Sequence, residues 1–166
     1  MSDGVPAEDR RTDEGLAYDL SQDERANPAT RWPRRNSQGR IVEWRHLLEA
    51  VVVLYVVGVF AVVVVDALST WANFGELGQT SGWLAAVMVF WLYVEEFRAW
   101  RGTRSRLLVA AAAGLVSLAV GAFVGLGLST FAPLVSGVIA AAVSSFSYAT
   151  LWFFGIRRAV DREAGA

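Results

Sequence analysis

Residues 107–156 contain no charged side chain. As helix, about 50 residues at about 1.5 Å rise would measure about 75 Å, whereas the hydrocarbon core of a bilayer is about 30 Å thick. The run is too long for one crossing and too apolar to face water, so it must fold back on itself. Gly125, Gly127, Ser129, Thr130 and Pro133 mark the break. The expected product is two helices, over about 106–126 and 132–155.

The same length argument applies upstream. Residues 47–69 form a valine-rich block whose centre, 50–65, is uncharged. Valine would suit a strand in water, but this block is several times longer than a usual strand. In lipid the backbone must satisfy its own hydrogen bonds, and helix is the local solution. Residues 82–94 are apolar over a shorter stretch. Extended to 78–100, they reach spanning length and draw Glu95 and Glu96 into the helix end. The fold class expected is all-α: a four-helix transmembrane bundle, residues 46–156, with a disordered N-terminal cytoplasmic tail.

Arginines alternate along this plan. They precede the first helix, fill the loop near 101–106 and return after 156, while the loops near 71–81 and 127–131 have none. Basic residues in short loops mark the cytoplasmic side. The expected location is therefore the cell membrane, multi-pass, with the N-terminus and C-terminus both cytoplasmic. Trp44, Trp100 and Trp152 fall at the proposed inner boundary and Trp71 and Trp83 at the outer one, where indole can bury its ring and keep its N–H wet.

Residues 1–45 divide by charge. Up to Thr30 acidic residues dominate and apolar ones are few, so no packed core offsets the entropy of ordering the chain. From Arg31 the segment turns basic, with Arg31, Arg34, Arg35, Arg40 and Arg45. Beside a transmembrane helix, Arg31, Arg34, Arg35 and Arg40 are expected to contact anionic lipid headgroups, at about 1 kcal/mol each. Nucleic acid is not expected as a partner. The residues 157–166 are read as a short cytoplasmic C-terminal tail.

The chain has no cysteine and one histidine, His46. Thiolate metal sites, disulfides and multi-histidine sites within one chain are thereby excluded. No phosphate loop, dinucleotide fingerprint or calcium loop is found. The hydroxyls of Ser144, Ser145, Ser147 and Thr150 have no base near them in their helix, and a serine nucleophile needs one. No catalytic residue, metal or cofactor is assigned, and the chain is read as a non-enzyme.

Two groups of residues stand out. Glu49 lies just inside the first helix, four residues after Arg45 on the same face. It could pair with Arg45 or couple proton or cation movement, since ionisable groups in transmembrane helices are costly and commonly functional. Glu95 is spaced to pair with Arg98. The alternation of helix ends sets Glu49, Glu95, Glu96, Arg45 and Arg98 at one depth, as a polar ring. The second group is small: Gly114, Gly121 and Gly125 on the third helix, Gly137 and Ser144 on the fourth. Small side chains let helices approach closely. An antiparallel pair would set Gly121 and Gly125 near the Gly137 end, and Gly114 near Ser144. Gly58, alone among valines, is expected to accept leucine at a milder cost than Gly121.

The reading that follows is an accessory or scaffold subunit packing against partner transmembrane helices. Its partners would be the lipid bilayer and a homo-oligomer or larger membrane complex. The alternative is a small proton- or cation-coupled transporter or channel using Glu49. The size and four-span layout are similar to those of small multidrug-type transporters, which carry a glutamate in the first helix. Those proteins lack a long acidic tail, and their glutamate sits deeper.

Overall fold

The computed structural model describes residues 32–36, 39–75 and 77–165, and all regular structure among them is helical. Helix α1 spans Trp44–Trp71, and a short α2 spans Gln79–Gly82. A 3-10 turn over Trp83–Ala86 leads without a gap into α3, Val87–Ala99. Helices α4, Arg106–Gly127, and α5, Pro133–Ala164, complete the chain. The expectation of disorder over residues 1–31, and the headgroup contact expected of Arg31, lie outside the described residues.

Three helices, α1, α4 and α5, are long and apolar enough to cross a membrane. The second expected span is shorter: α3 has 13 residues, and the 3-10 turn separates it from α2. The break follows a close backbone contact. Gly82 in α2 and Gly137 in α5 meet so tightly that a Cβ on Gly82 would lie 2.8 Å from the Gly137 Cα. Gln79 adds a hydrogen bond from Nε2 to the Gly125 carbonyl at 3.2 Å. The start of the segment is thus held by α4 and α5, and the tighter 3-10 turn re-aims the chain toward α1.

Helix α1 buries a stripe of Leu47, Ala50, Val51, Tyr55, Gly58 and Val62. Spacing of three and four keeps these on one face. Its other face shows Phe60 at 70% exposure. Helix α4 buries only Ala113, Ser117, Gly121 and Gly125, one residue per turn, and shows Phe123 at 78%. An outward face this apolar suits hydrocarbon and is ill-suited to water. These helices mark a membrane protein.

Helix α5 is the hub. It packs along α4 more extensively than any other two elements pack, and it also meets α1, α2 and the 3-10 turn. Pro133 sits in its first turn, where the missing N–H costs no helix bond. Its far end runs to Ala164, well past the boundary near 155 expected from apolarity. Residues 157–164 are polar, but nothing among them breaks a helix before Gly165. The end is also tied down. Glu163 accepts hydrogen bonds from the Ser105 N–H at 3.0 Å and the Ser105 Oγ at 2.8 Å. It thereby caps α4, whose own N-cap side chain makes no capping bond to that helix.

The link after α1 closes on Asn73, which has a positive φ of 60°. Asparagine tolerates this left-handed geometry better than most residues. Asp66 holds the returning chain by accepting a bond from the Leu77 N–H at 2.8 Å. It thus fixes the loop as well as marking the end of the apolar block.

Candidate functional site

Charged groups gather at the end of the bundle where α1 and α4 begin and α3 finishes. The segment before α1 reaches this end through a turn. The Asn36 N–H bonds the Arg40 carbonyl at 2.9 Å, the Gly39 N–H bonds the Asn36 carbonyl at 2.8 Å, and the Arg40 N–H bonds Asn36 Oδ1 at 2.9 Å. Gly39 has a φ of 74°, a conformation that side chains disfavour.

This turn aims Arg35 at two carboxylates. Its Nη1 lies 2.8 Å from Glu96 Oε1, and its Nη2 lies 3.0 Å from Glu95 Oε2. Nη1 also donates to the Gly39 carbonyl at 2.8 Å. Glu96 is 2% exposed, and its second oxygen accepts the Ile41 N–H at 3.4 Å. Ile41 is itself buried against the bundle. A buried carboxylate is costly unless paired and hydrogen-bonded, and Arg35 supplies both conditions with one planar group. Glu95 lies at the exposed rim and also accepts from Trp91 Nε1 at 3.1 Å. Arg40 lies one step further out. Its Nε donates to the Ala99 carbonyl at 3.1 Å, and its guanidinium stacks 4.4 Å from the Trp100 ring centroid.

Of the residues expected in a polar ring, the fold brings Glu95 and Glu96 together and leaves Arg45, Glu49 and Arg98 outside their ion pairs. Glu95 and Glu96 meet through Arg35, and Arg98 does not pair with Glu95. Among the described residues the ion pairs are those of Arg35 and a weaker His46–Glu43 contact at 3.7 Å. Arg45 and Glu49 are both exposed and form no pair with each other. Glu49 instead borders a small recess of about 290 Å³ with Trp32, Pro33, Arg34 and His46. Of the arginines expected at lipid headgroups, Arg35 and Arg40 have guanidinium groups bonded to protein. Arg34 is exposed beside the recess.

The larger concavity lies elsewhere. Helices α3 and α4 hardly touch each other, and both pack on α5. Between them runs a groove of about 580 Å³, walled by Phe90, Tyr93 and Phe97 on α3 and by Ala110, Gly114 and Ser117 on α4. Ser144 and Tyr148 of α5 form its floor. The rings of Tyr93 and Tyr148 lie 4.4 Å apart, and the Tyr93 hydroxyl donates to the Ser145 carbonyl at 2.6 Å.

No family model, curated protein or solved structure matches this chain. Function must be argued from its own geometry.

The small residues divide into three groups in the fold. Gly121 packs on α5: a Cβ there would lie 2.8 Å from the Ser144 Cβ and 2.9 Å from the Ala140 carbonyl. A Cβ on Gly125 would lie 3.2 Å from the Ala140 Cβ. Gly137 faces away from α4, against Gln79 and Gly82 of α2. Gly114 meets nothing within 4 Å and forms part of the groove wall. Gly125 thus lies toward the Gly137 end, on Ala140, while Ser144 packs on Gly121 and shares only the groove with Gly114; α2 occupies the Gly137 face. Gly58 is the opposite correction, since it packs directly on the Ala85 carbonyl. Trp152 is also moved: it is 2% exposed and lies inside the bundle, with Phe97 at 6.1 Å, so it is no headgroup anchor.

Sequence reasoning missed Arg35 as the partner of Glu96. The turn at Gly39 was its only local sign, and the contact joins residues 61 positions apart.

Proposed function

We propose that this chain is a non-enzymatic, multi-pass subunit of the cell membrane, a four-helix bundle in which α2 and α3 together make the second crossing. Its task is to pack against partner transmembrane helices. Both termini lie in the cytoplasm, on the side of the arginine-rich segments.

One observation carries this reading: the polar groups inside the bundle are used internally. Tyr55 donates to the Val138 carbonyl and Tyr93 to the Ser145 carbonyl. Ser117 and Ser136 bond back to the carbonyls of Gly114 and Pro133. Glu96 is held by Arg35. A translocation path needs polar groups that exchange partners with a substrate, and these serve the fold. The large outward side chains, Phe60, Leu115 and Phe123, remain available to a partner or to lipid.

Gentle detergent isolation from native membranes tests the role. A defined complex with a stoichiometric membrane partner is expected. A clean monomer, with the membrane of origin otherwise extracted intact, would end this reading. The transporter alternative depends on Glu49, which stands exposed beside Arg34 and His46. Coupled uptake by reconstituted protein that is abolished in Glu49→Gln would favour it instead.

A further inference from the structure

The groove between α3 and α4 has a basic end that the ion pairs among the described residues do not use. On α3 its wall runs Phe90, Val94 and Phe97. Arg98 is one helical turn beyond Val94, on the same face. On α4 the wall runs Ala110, Gly114 and Ser117, and Arg106 is one turn before Ala110. Both walls therefore finish in an arginine at the same end. The Arg106 guanidinium lies 4.8 Å from the ring centroid of Phe97, a residue of the groove wall. The ion pairs among the described residues involve neither Arg98 nor Arg106.

The groove is long as well as apolar. From Phe97 to Val87 helix α3 advances 10 residues, about 15 Å, which matches the depth of one leaflet of hydrocarbon, about 15 Å. A chain entering at the basic end would be covered along its whole leaflet depth. Open space at Gly114 deepens the seat midway.

We propose that this groove holds one anionic phospholipid, its phosphate between Arg98 and Arg106 and an acyl chain along Phe97, Tyr93, Phe90 and Gly114. The charge of the mouth selects the headgroup, and the aromatic wall accepts the chain. Basic recesses between transmembrane helices take anionic headgroups for this reason. The proposal needs membrane placement but not the accessory role, so loss of a protein partner with lipid retained would remove only the latter.

The test uses the full chain, delipidated in neutral detergent and titrated with dioleoyl phosphatidylglycerol or dioleoyl phosphatidylcholine. Native mass spectrometry counts the lipid retained. One phosphatidylglycerol per chain is expected, preferred on the order of 30-fold over phosphatidylcholine if each arginine contributes as at a membrane surface. Arg98→Gln with Arg106→Gln should reduce the preference to about threefold or less. Arg158→Gln with Arg162→Gln, at the same end but on α5, should leave it unchanged. Gly114→Leu projects into the groove from a position where an added Cβ would meet no neighbouring atom within 4 Å, and it should weaken retention of both lipids. Equal retention of the two lipids by the unaltered chain would overturn the proposal. So would equal loss in the two arginine pairs, or full retention in Gly114→Leu. Dimers that Gly114→Leu disperses, with no lipid held, would assign the groove to a second copy and overturn it too. Should the Arg98 and Arg106 variant fail to fold, as read by circular dichroism, the headgroup preference of the unaltered chain and the Gly114→Leu result decide.

Discussion

Gly58 and Ala85 touch through their backbones: a Cβ added to Gly58 would overlap the Ala85 carbonyl oxygen. Helix α1 and the 3-10 turn can approach this closely only because residue 58 has no side chain. Gly114, a glycine of identical chemistry, stands in open space.

The contrast predicts opposite outcomes for one substitution. Gly58→Leu should destabilise by at least about 1–3 kcal/mol, the usual cost of overpacking, because backbone atoms must move. Gly121→Leu should fall in the same range, since Ser144 and Ala140 confine it. Gly114→Leu should change stability by less than about 0.5 kcal/mol. Thermal melts in one detergent compare the three. Equal tolerance of Gly58→Leu and Gly114→Leu would mean that α1 and the 3-10 turn do not meet as described.

Arg35 should matter more than its place in a charged tail suggests. Arg35→Ala leaves Glu96 buried without its cation, at a cost of about 3–5 kcal/mol. Glu95→Gln should cost less than about 1 kcal/mol, because that arm of the pair is at the exposed rim. Adding Glu96→Gln to Arg35→Ala should recover part of the loss, since a neutral amide is cheaper to bury. Additive losses in the double variant would show that the two groups are not coupled.

Glu163 ties acid sensitivity to the end of α5. The hydrogen bonds from the Ser105 hydroxyl and the Ser105 N–H hold its carboxyl below the ordinary value of 4.5. A lowered folded value stabilises the protein at pH above 4.5, and the contribution is lost as pH falls from there through the folded value. Glu163→Gln should therefore melt earlier than the unaltered chain at neutral pH, and the gap should close in acid. A gap that stays constant with pH would assign the effect to shape and not to charge.

The membrane arrangement can be read directly, since the chain has no cysteine. Single cysteines at Gly78 and Ser129 should react with an impermeant thiol reagent from outside intact cells. Single cysteines at exposed Gly102 and Ala164 should react only after the membrane is opened. Outside labelling at Gly102 would mean that α2 and α3 do not complete a crossing.

Much of the fold was legible because it follows from local chemistry. A charge-free run of residues 107–156 can only be helix in lipid and can only fit by turning back, and Pro133 shows where. The alternating arginines were equally local. The second segment was legible only in outline. Its break at Trp83–Ala86 directly follows the Gly82–Gly137 approach, and nothing within residues 78–100 announces which distant glycine will be met there. The end of α5 was misjudged because apolarity locates a bilayer boundary, whereas a helix ends where hydrogen bonding ends.

Sequence alone determined the helical class, the apolar lengths and the end of the molecule where charge collects, since each depends on composition over a contiguous stretch. Tertiary structure alone decided which small residues are contacts. Gly58, Gly114 and Gly121 are indistinguishable as letters, yet one lies on a carbonyl, one on an open groove and one on Ser144 and Ala140. It also decided which charges are held. Arg35 became the partner of Glu96 while Arg98 and Arg106 stayed outside the ion pairs, because pairing depends on distances between segments remote in sequence and on how little water reaches the carboxylate.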